Sequence, residues 1–179
     1  MENLFKGIYK DRIVLVTGHT GFKGSWLVYW LVQMGAKVIG YSLEAPTNPN
    51  HIELLKLSID SVIGDIRDQE KLNNTFENYK PEIVFHLAAQ PLVRFSYTDP
   101  VNTYETNVMG TLKIFEACKK HDVKAIVNIT SDKAYENKEW ERGYKENDSL
   151  GGYDPYSSSK GCADLLANSY RNSFFNPAE

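Results

Sequence analysis

With 179 residues, 42% of them hydrophobic and 24% charged, the chain is one domain's worth of sequence with enough apolar material for a core. No apolar run approaches the length of a membrane span, and a net charge of −3 with a pI near 5.8 argues against nucleic acid or an anionic membrane as the main partner. Cys118 and Cys162 lack metal-like spacing, the histidines (His19, His51, His86, His121) are scattered, and Met1–Lys10 has no secretion-type apolar segment, so a reduced, metal-free, cytoplasmic protein is expected.

In chain order, Arg12–Val16 reads as a buried, parallel-type strand. Thr17 and then Gly18, Gly21 and Gly24 follow, with His19, Thr20, Phe22 and Lys23 between and beside the glycines. A helical pattern comes next, with Trp26, Leu27, Trp30, Leu31 and Met34 on one side and Gly35 placed to end it. Strand, glycine turn and helix together suggest a dinucleotide site. Residues without Cβ let the chain turn tightly and let a pyrophosphate approach, and the helix start offers free N–H groups to the anion. The rival, a glycine-rich turn without a ligand, is disfavoured because all three glycines and both flanking elements fit.

Lys37–Tyr41 is the second strand, Ala45–Asn50 a loop, and His51–Leu57 a short helix. Ser61–Ile63 is a third strand closed by Gly64–Asp68, and Asp68 caps a helix running to about Tyr79. After Pro81, Ile83–Leu87 is the fourth strand, followed by Ala88, Ala89 and Gln90. Asp99-Pro100 opens a long helix to about His121, and Ala125–Thr130 is the fifth strand. Glu136–Gly152 is polar and irregular, and Asp154-Pro155 opens a last helix to Asn176, where Pro177 stops it. The alternation predicts an α/β, Rossmann-like, doubly wound parallel sheet. Ligands of such sheets bind outside the carboxyl ends of the strands, here at Thr17, Tyr41, Asp65, Ala88 and Ser131.

Three groups at those ends carry chemistry. Ser131-Asp132-Lys133 sets a hydroxyl, a carboxyl and an amine side by side, although an ordinary polar turn looks the same. Tyr156 and Lys160 share a helical face. An ammonium beside a phenol favours the phenolate, and bringing a phenol from about 10 to about 7 takes roughly 4 kcal/mol. Chance supplies about one such pair in a chain with this many tyrosines and lysines, so only its placement one helix after Ser131 is informative. Leu87, Ala88, Ala89 and Gln90, with Asn107, can admit a flat ring or ribose, or can simply be close packing. Asp65-Ile66 can hold an adenine or form a plain turn. Ser42 stands where an acid for the ribose hydroxyls is usual, with Glu44 two residues on. His19 and Lys23 are the nearest candidate cations, which leaves NAD against NADP open.

These motifs, in this order, resemble the extended short-chain dehydrogenase/reductases. The segments Gly18–Trp26, Gln90–Arg94, Asn128–Lys133 and Gly151–Tyr156 resemble in particular the nucleotide-sugar 4,6-dehydratases that use CDP-glucose. The resemblance implies NAD as cofactor, CDP-glucose as substrate and a role in deoxysugar formation, as for lipopolysaccharide O-antigen. It implies Tyr156 as base at the sugar 4-hydroxyl and Lys160 at the nicotinamide ribose. It also implies that Ser131 orients that hydroxyl, Asp132 is acid to the leaving 6-hydroxyl, and Lys133 is base at carbon 5. Lysine serves there only when neutral, which calls for burial or a nearby cation. Epimerases, or dehydratases of other nucleotide sugars, are the nearest rivals, and a non-catalytic dinucleotide module is a further one.

A homodimer through the helices opened by Val101 and Tyr156 is also implied, although Val108, Leu112, Phe115, Cys162, Leu165 and Leu166 are equally explained as core. Family members continue beyond Pro177. Residues 1–179 are therefore expected to be the dinucleotide-binding domain, with the sugar-nucleotide-binding part outside the chain. The sheet is expected to end at strand five with an open edge, and the chain alone to bind dinucleotide but turn over poorly.

Overall fold

The structure, a computed structural model, describes Met1 and residues 4–176. Two compact units make it up: Met1–Ala88 with Glu116–Ile129, and Ala89–Phe115 with Thr130 onward. The first contains the sheet. Its strands are β1 (Ile13–Thr17), β2 (Lys37–Ser42), β3 (Asp60–Ile63), β4 (Ile83–His86) and β5 (Ala125–Asn128). All pair in parallel, in the order β3-β2-β1-β4-β5. Thr17 stands opposite both Tyr41 and His86, and His86 opposite Asn128, so the carboxyl ends align along one edge of the sheet. The winding reverses beside β1, where such sheets bind ligands.

Val14, Leu15 and Val16 are all fully buried, because a parallel sheet is covered on both faces. On one face Val14, Val16, Val38 and Phe85 pack with Val28, Leu31 and Met34 of helix α1 (Phe22–Gln33). Each such aliphatic side chain contributes about 1.5–3 kcal/mol by leaving water. The residues that helical spacing puts on one side of α1 divide, with Leu31 and Met34 buried. Trp26 and Trp30 are exposed, and Gly24, Ser25, Val28 and Leu31 are buried. The helix is apolar nearly all round, and its small residues decide which side can approach the sheet. Gly35 follows at φ +83° and ends it as expected.

Two helices complete this unit's crossovers. Helix α2 is a single turn, His51–Leu54, and α3 (Gln69–Tyr79) is capped by the Asp68 carboxylate, which accepts from Lys71 N at 3.0 Å. Among the described residues β5 is an outer strand, with Ala125 and Val127 exposed.

The second unit differs from expectation in detail. Helix α4 (Val93–Thr98) was not foreseen, because six residues between Pro91 and Asp99 are too few to show a period. The long helix expected from Pro100 is three pieces: α5 (Pro100–Tyr104), a π-helical turn (Glu105–Gly110) and α6 (Thr111–Lys120). Helix α7 (Pro155–Tyr170) continues into a second π turn, Arg171–Phe175, while the stop assigned to Pro177 lies outside the described residues. Phe115 packs on Tyr170 with ring centres 5.4 Å apart, so this member of the candidate dimer face is core. Among the described residues no helix is long and apolar enough to cross a membrane.

Candidate active site

The glycine turn of the first unit is built from backbone constraints. Gly18 has φ +73°, and a Cβ there would lie 2.9 Å from Ala88 N. A Cβ on Gly24 would lie 2.1 Å from Gly18 O, and one on Gly21 3.3 Å from it. Gly21 is the N-cap of α1 and brings no side-chain oxygen, so the first N–H groups of α1 have no side-chain cap. Glycine backbone beside an uncapped helix start fits the pyrophosphate of a dinucleotide. Thr17 completes the cradle. Its Oγ1 lies 2.7 Å from His86 Nδ1 and accepts from Leu87 N and Ala88 N, each at 3.1 Å.

The end of β2 is closed by a polar cluster. His19 Nε2 lies 2.7 Å from Ser61 Oγ, and its Nδ1 lies 3.0 Å from Ser42 Oγ. Ser42 Oγ is 2.9 Å from Thr20 Oγ1 and donates to Leu43 O at 2.9 Å. Gly40 leaves room for the His19 ring, since a Cβ there would fall 2.3 Å from it. His19 as a loop cation is therefore corrected: burial pushes its pKa down to about 4 against an opposing hydrogen bond to Tyr41, and the ring is neutral at pH 7. Phe22 and Lys23 are exposed. A cavity of about 630 Å³ opens beside His19, Thr20, Glu44, Asn48 and Ser61. Asp65 is held by its own turn, accepting from Arg67 N at 2.8 Å and pairing with the guanidinium at 2.6 Å, and Ile66 is buried.

A pH dependence follows from His19. Below pH 6.5 the unfolded chain takes up a proton there that the native state, with a pKa of about 4, refuses. Stability therefore rises by up to about 3 kcal/mol between those two pH values and is complete above them. Urea midpoints measured across that range should climb in the wild type, and His19→Asn should flatten the climb.

The second unit holds the remaining residues. Asn107, fully buried on the first π turn, accepts from Gln90 N at 2.8 Å and donates to Gln90 O at 3.1 Å and Ser159 Oγ at 2.9 Å. Both amide hydrogens are thus used within the protein. Asn107, expected at the cofactor, fixes Gln90, whose Nε2 donates to Thr103 Oγ1 at 2.9 Å. Asn107→Ala strands the buried N–H and C=O of Gln90, and should cost about 3 kcal/mol in urea unfolding. Asn107→Asp keeps the acceptor but turns a second oxygen toward Gln90 O in a buried site, and should cost at least as much.

Ser131 is the N-cap of a 3₁₀ turn, Asp132–Ala134, that packs against α7. Its Oγ accepts from Lys133 N at 3.3 Å and donates to Asp132 Oδ1 at 3.1 Å. Asp132 and Lys133 are exposed, so the burial expected around Lys133 is absent within this chain. The Asp154 carboxylate lies within its field. Burial works against that carboxylate's charge, but bonds from Ser157 and the Lys133 ammonium prevail and hold its pKa low. Asp154 caps α7 through Ser157 N at 2.9 Å. Tyr156 N donates to the buried Ser96 Oγ at 3.1 Å, tying α4 to the start of α7. Gly161 lets α7 come close to the turn, with Ala134 O 3.2 Å from where a Cβ would be. Tyr156 is half-buried and Lys160 buried. Asp164, one turn further on, was missed in the sequence, although its spacing from Lys160 was visible. Burial raises its pKa, opposed by Lys160 and a hydrogen bond with the Thr130 side chain.

Residues 15–178 match the family described as GDP-mannose 4,6 dehydratase. The chain is 60% identical over 176 residues to CDP-glucose 4,6-dehydratase of Salmonella typhimurium, covering 97% of this chain and 49% of that protein. The solved UDP-glucose 4-epimerase of Thermus thermophilus in complex with NAD superposes with a TM-score of 0.82 at 31% identity, over 91% of this chain and 52% of that one. The dTDP-glucose 4,6-dehydratase of Streptomyces venezuelae with NAD and TYD bound does so with a TM-score of 0.82 at 28% identity, over 91% and 52%. The chain spans about half the length of the curated relatives it matches best.

Proposed function

The chain belongs to the GDP-mannose 4,6 dehydratase family, and we propose that it is the NAD-binding and catalytic half of a CDP-glucose 4,6-dehydratase, a hydro-lyase that yields CDP-4-keto-6-deoxyglucose. The observation that carries the reaction is the Ser131–Lys133 turn packed on the helix of Tyr156 and Lys160. The 60% identical relative supports CDP-glucose, and the NAD-bound solved relatives support the cofactor.

The residues present fit a dinucleotide. Gly18, Gly21, Gly24 and the start of α1 would hold the pyrophosphate, and Lys160 would hold the nicotinamide ribose. Bound NAD supplies the hydride acceptor for carbon 4 and the hydride donor for carbon 6. Tyr156 takes the proton of the 4-hydroxyl, and the Lys160 ammonium stabilises the phenolate form. Ser131 orients that hydroxyl. The 4-keto group makes the proton on carbon 5 acidic. Lys133, which is exposed and must first shed its own proton, then removes the proton on carbon 5 while Asp132 protonates the departing 6-hydroxyl, and water leaves. The same reading makes the protein a cytoplasmic homodimer paired through α5–α7, where the exposed Val101, Met109 and Leu165 support it.

An epimerase is the second reading, favoured by the likeness to the solved UDP-glucose 4-epimerase. It needs Tyr156 and Lys160 but has no use for the Asp132–Lys133 acid–base pair. Turnover of CDP-, dTDP-, UDP- and GDP-sugars by the full-length protein separates the cases. CDP-glucose should be dehydrated fastest, and a clear preference for another nucleotide would overturn the assignment.

A further inference from the structure

The outer face of α1 carries aromatic rings that its unit covers only in part: Trp26 packs on His51 with ring centres 4.5 Å apart, and the outward sides of the rings face solvent. Phe22, Trp26 and Trp30 recur one helical turn apart and are 77%, 50% and 42% exposed. Phe5, 54% exposed, meets Trp30 edge-on with ring centres 5.8 Å apart, and the exposed Leu4 and Ile8 extend the patch. At 150–250 Å² per aromatic side chain, these exposures leave roughly 600 Å² of apolar surface in water. That is at the upper limit for a soluble monomer, and close to the roughly 800 Å² each partner contributes to a standard interface. Phe5 and Lys6 add strain, at φ +52° and +60°. A bulky residue in the left-handed region persists only where its contacts hold it, and half of the Phe5 side chain faces solvent.

Charge selects the occupant. Lys23 is the only charged residue of α1, and it stands in the first turn, the wrong end for the helix dipole. The last turn has no base. In an antiparallel pair of such helices crossing near Val28, each Lys23 lies against the other's carbonyl end, and Trp26 of one copy meets Trp30 of the other. We infer that this face is an isologous docking surface for a second copy of this chain, with α1 antiparallel to α1. The inference uses none of the catalytic residues proposed above.

Sedimentation velocity on the 179-residue chain across the micromolar range tests it. Trp26→Glu with Trp30→Glu should halve the sedimenting mass, with the circular dichroism unchanged. Since both positions are half-buried, Lys23→Glu serves as a gentler second variant. It places an acid at the partner's carbonyl end and should raise the dissociation midpoint about tenfold. A wild-type chain that stays monomeric, or a folded variant that associates like the wild type, would overturn the inference. So would a wild-type monomer that instead co-sediments with phosphatidylglycerol vesicles, which would mark a lipid-facing surface.

Discussion

Tyr156→Phe should lower the turnover of CDP-glucose by about 10³-fold in the full-length protein, the range typical for loss of a positioned general base. Phenylalanine keeps the ring, and the contacts that place the residue belong to its backbone and neighbours. Tyr156 N bonds Ser96, and Tyr156 O accepts from Ser159 Oγ at 2.6 Å. The start of α7 should therefore hold its place, and NAD affinity should stay within about threefold of wild type. Product formation and calorimetric NAD binding, measured on the same preparation, separate the two quantities. A variant that retained turnover would remove Tyr156 from the chemistry and leave the non-catalytic module as the better account.

Gly24→Ala should have the second largest effect, and on binding. Its Cβ would sit 2.1 Å from Gly18 O and 2.8 Å from His19 Cα, both backbone atoms that no rotamer change can move. Relief requires α1 to shift away from the turn that presents its N–H groups. NAD affinity should fall at least about 100-fold, and stability by about 3 kcal/mol, the upper end for overpacking. Gly143→Ala is the matched control, because nothing lies within 4 Å of a Cβ there. Wild-type NAD affinity in Gly24→Ala would mean that the turn is a structural αβ connection without a ligand.

The parts of this molecule written in local chemistry could be read from the sequence. The continuous apolar run before Thr17 reads as a doubly covered strand, and Gly18 and Gly24 sit where the backbone has no room for Cβ. Asp68, Asp99 and Asp154 each cap the helix they precede. What escaped depends on partners far along the chain. His19 looked like a cation because Ser61, which with Gly40 encloses its ring, lies forty-two residues away. The clamp of Asn107 on Gln90 was hidden because it forms only when α5 and the π turn fold back over that loop. The exposure of Trp26 and Trp30 had no local sign, because a helix apolar on all sides gives periodicity no face to choose. The exposure of Lys133 was likewise invisible, since burial there depends on tertiary packing and on no local pattern.

The most direct test of the catalytic reading follows one hydrogen. CDP-glucose carrying deuterium on carbon 4 is incubated with the full-length protein and NAD, and the product is analysed by mass spectrometry and NMR. An internal redox cycle predicts CDP-4-keto-6-deoxyglucose with the deuterium on carbon 6. Deuterium that stays on carbon 4 of an epimerised sugar, or no conversion at all by protein that binds NAD, would contradict it.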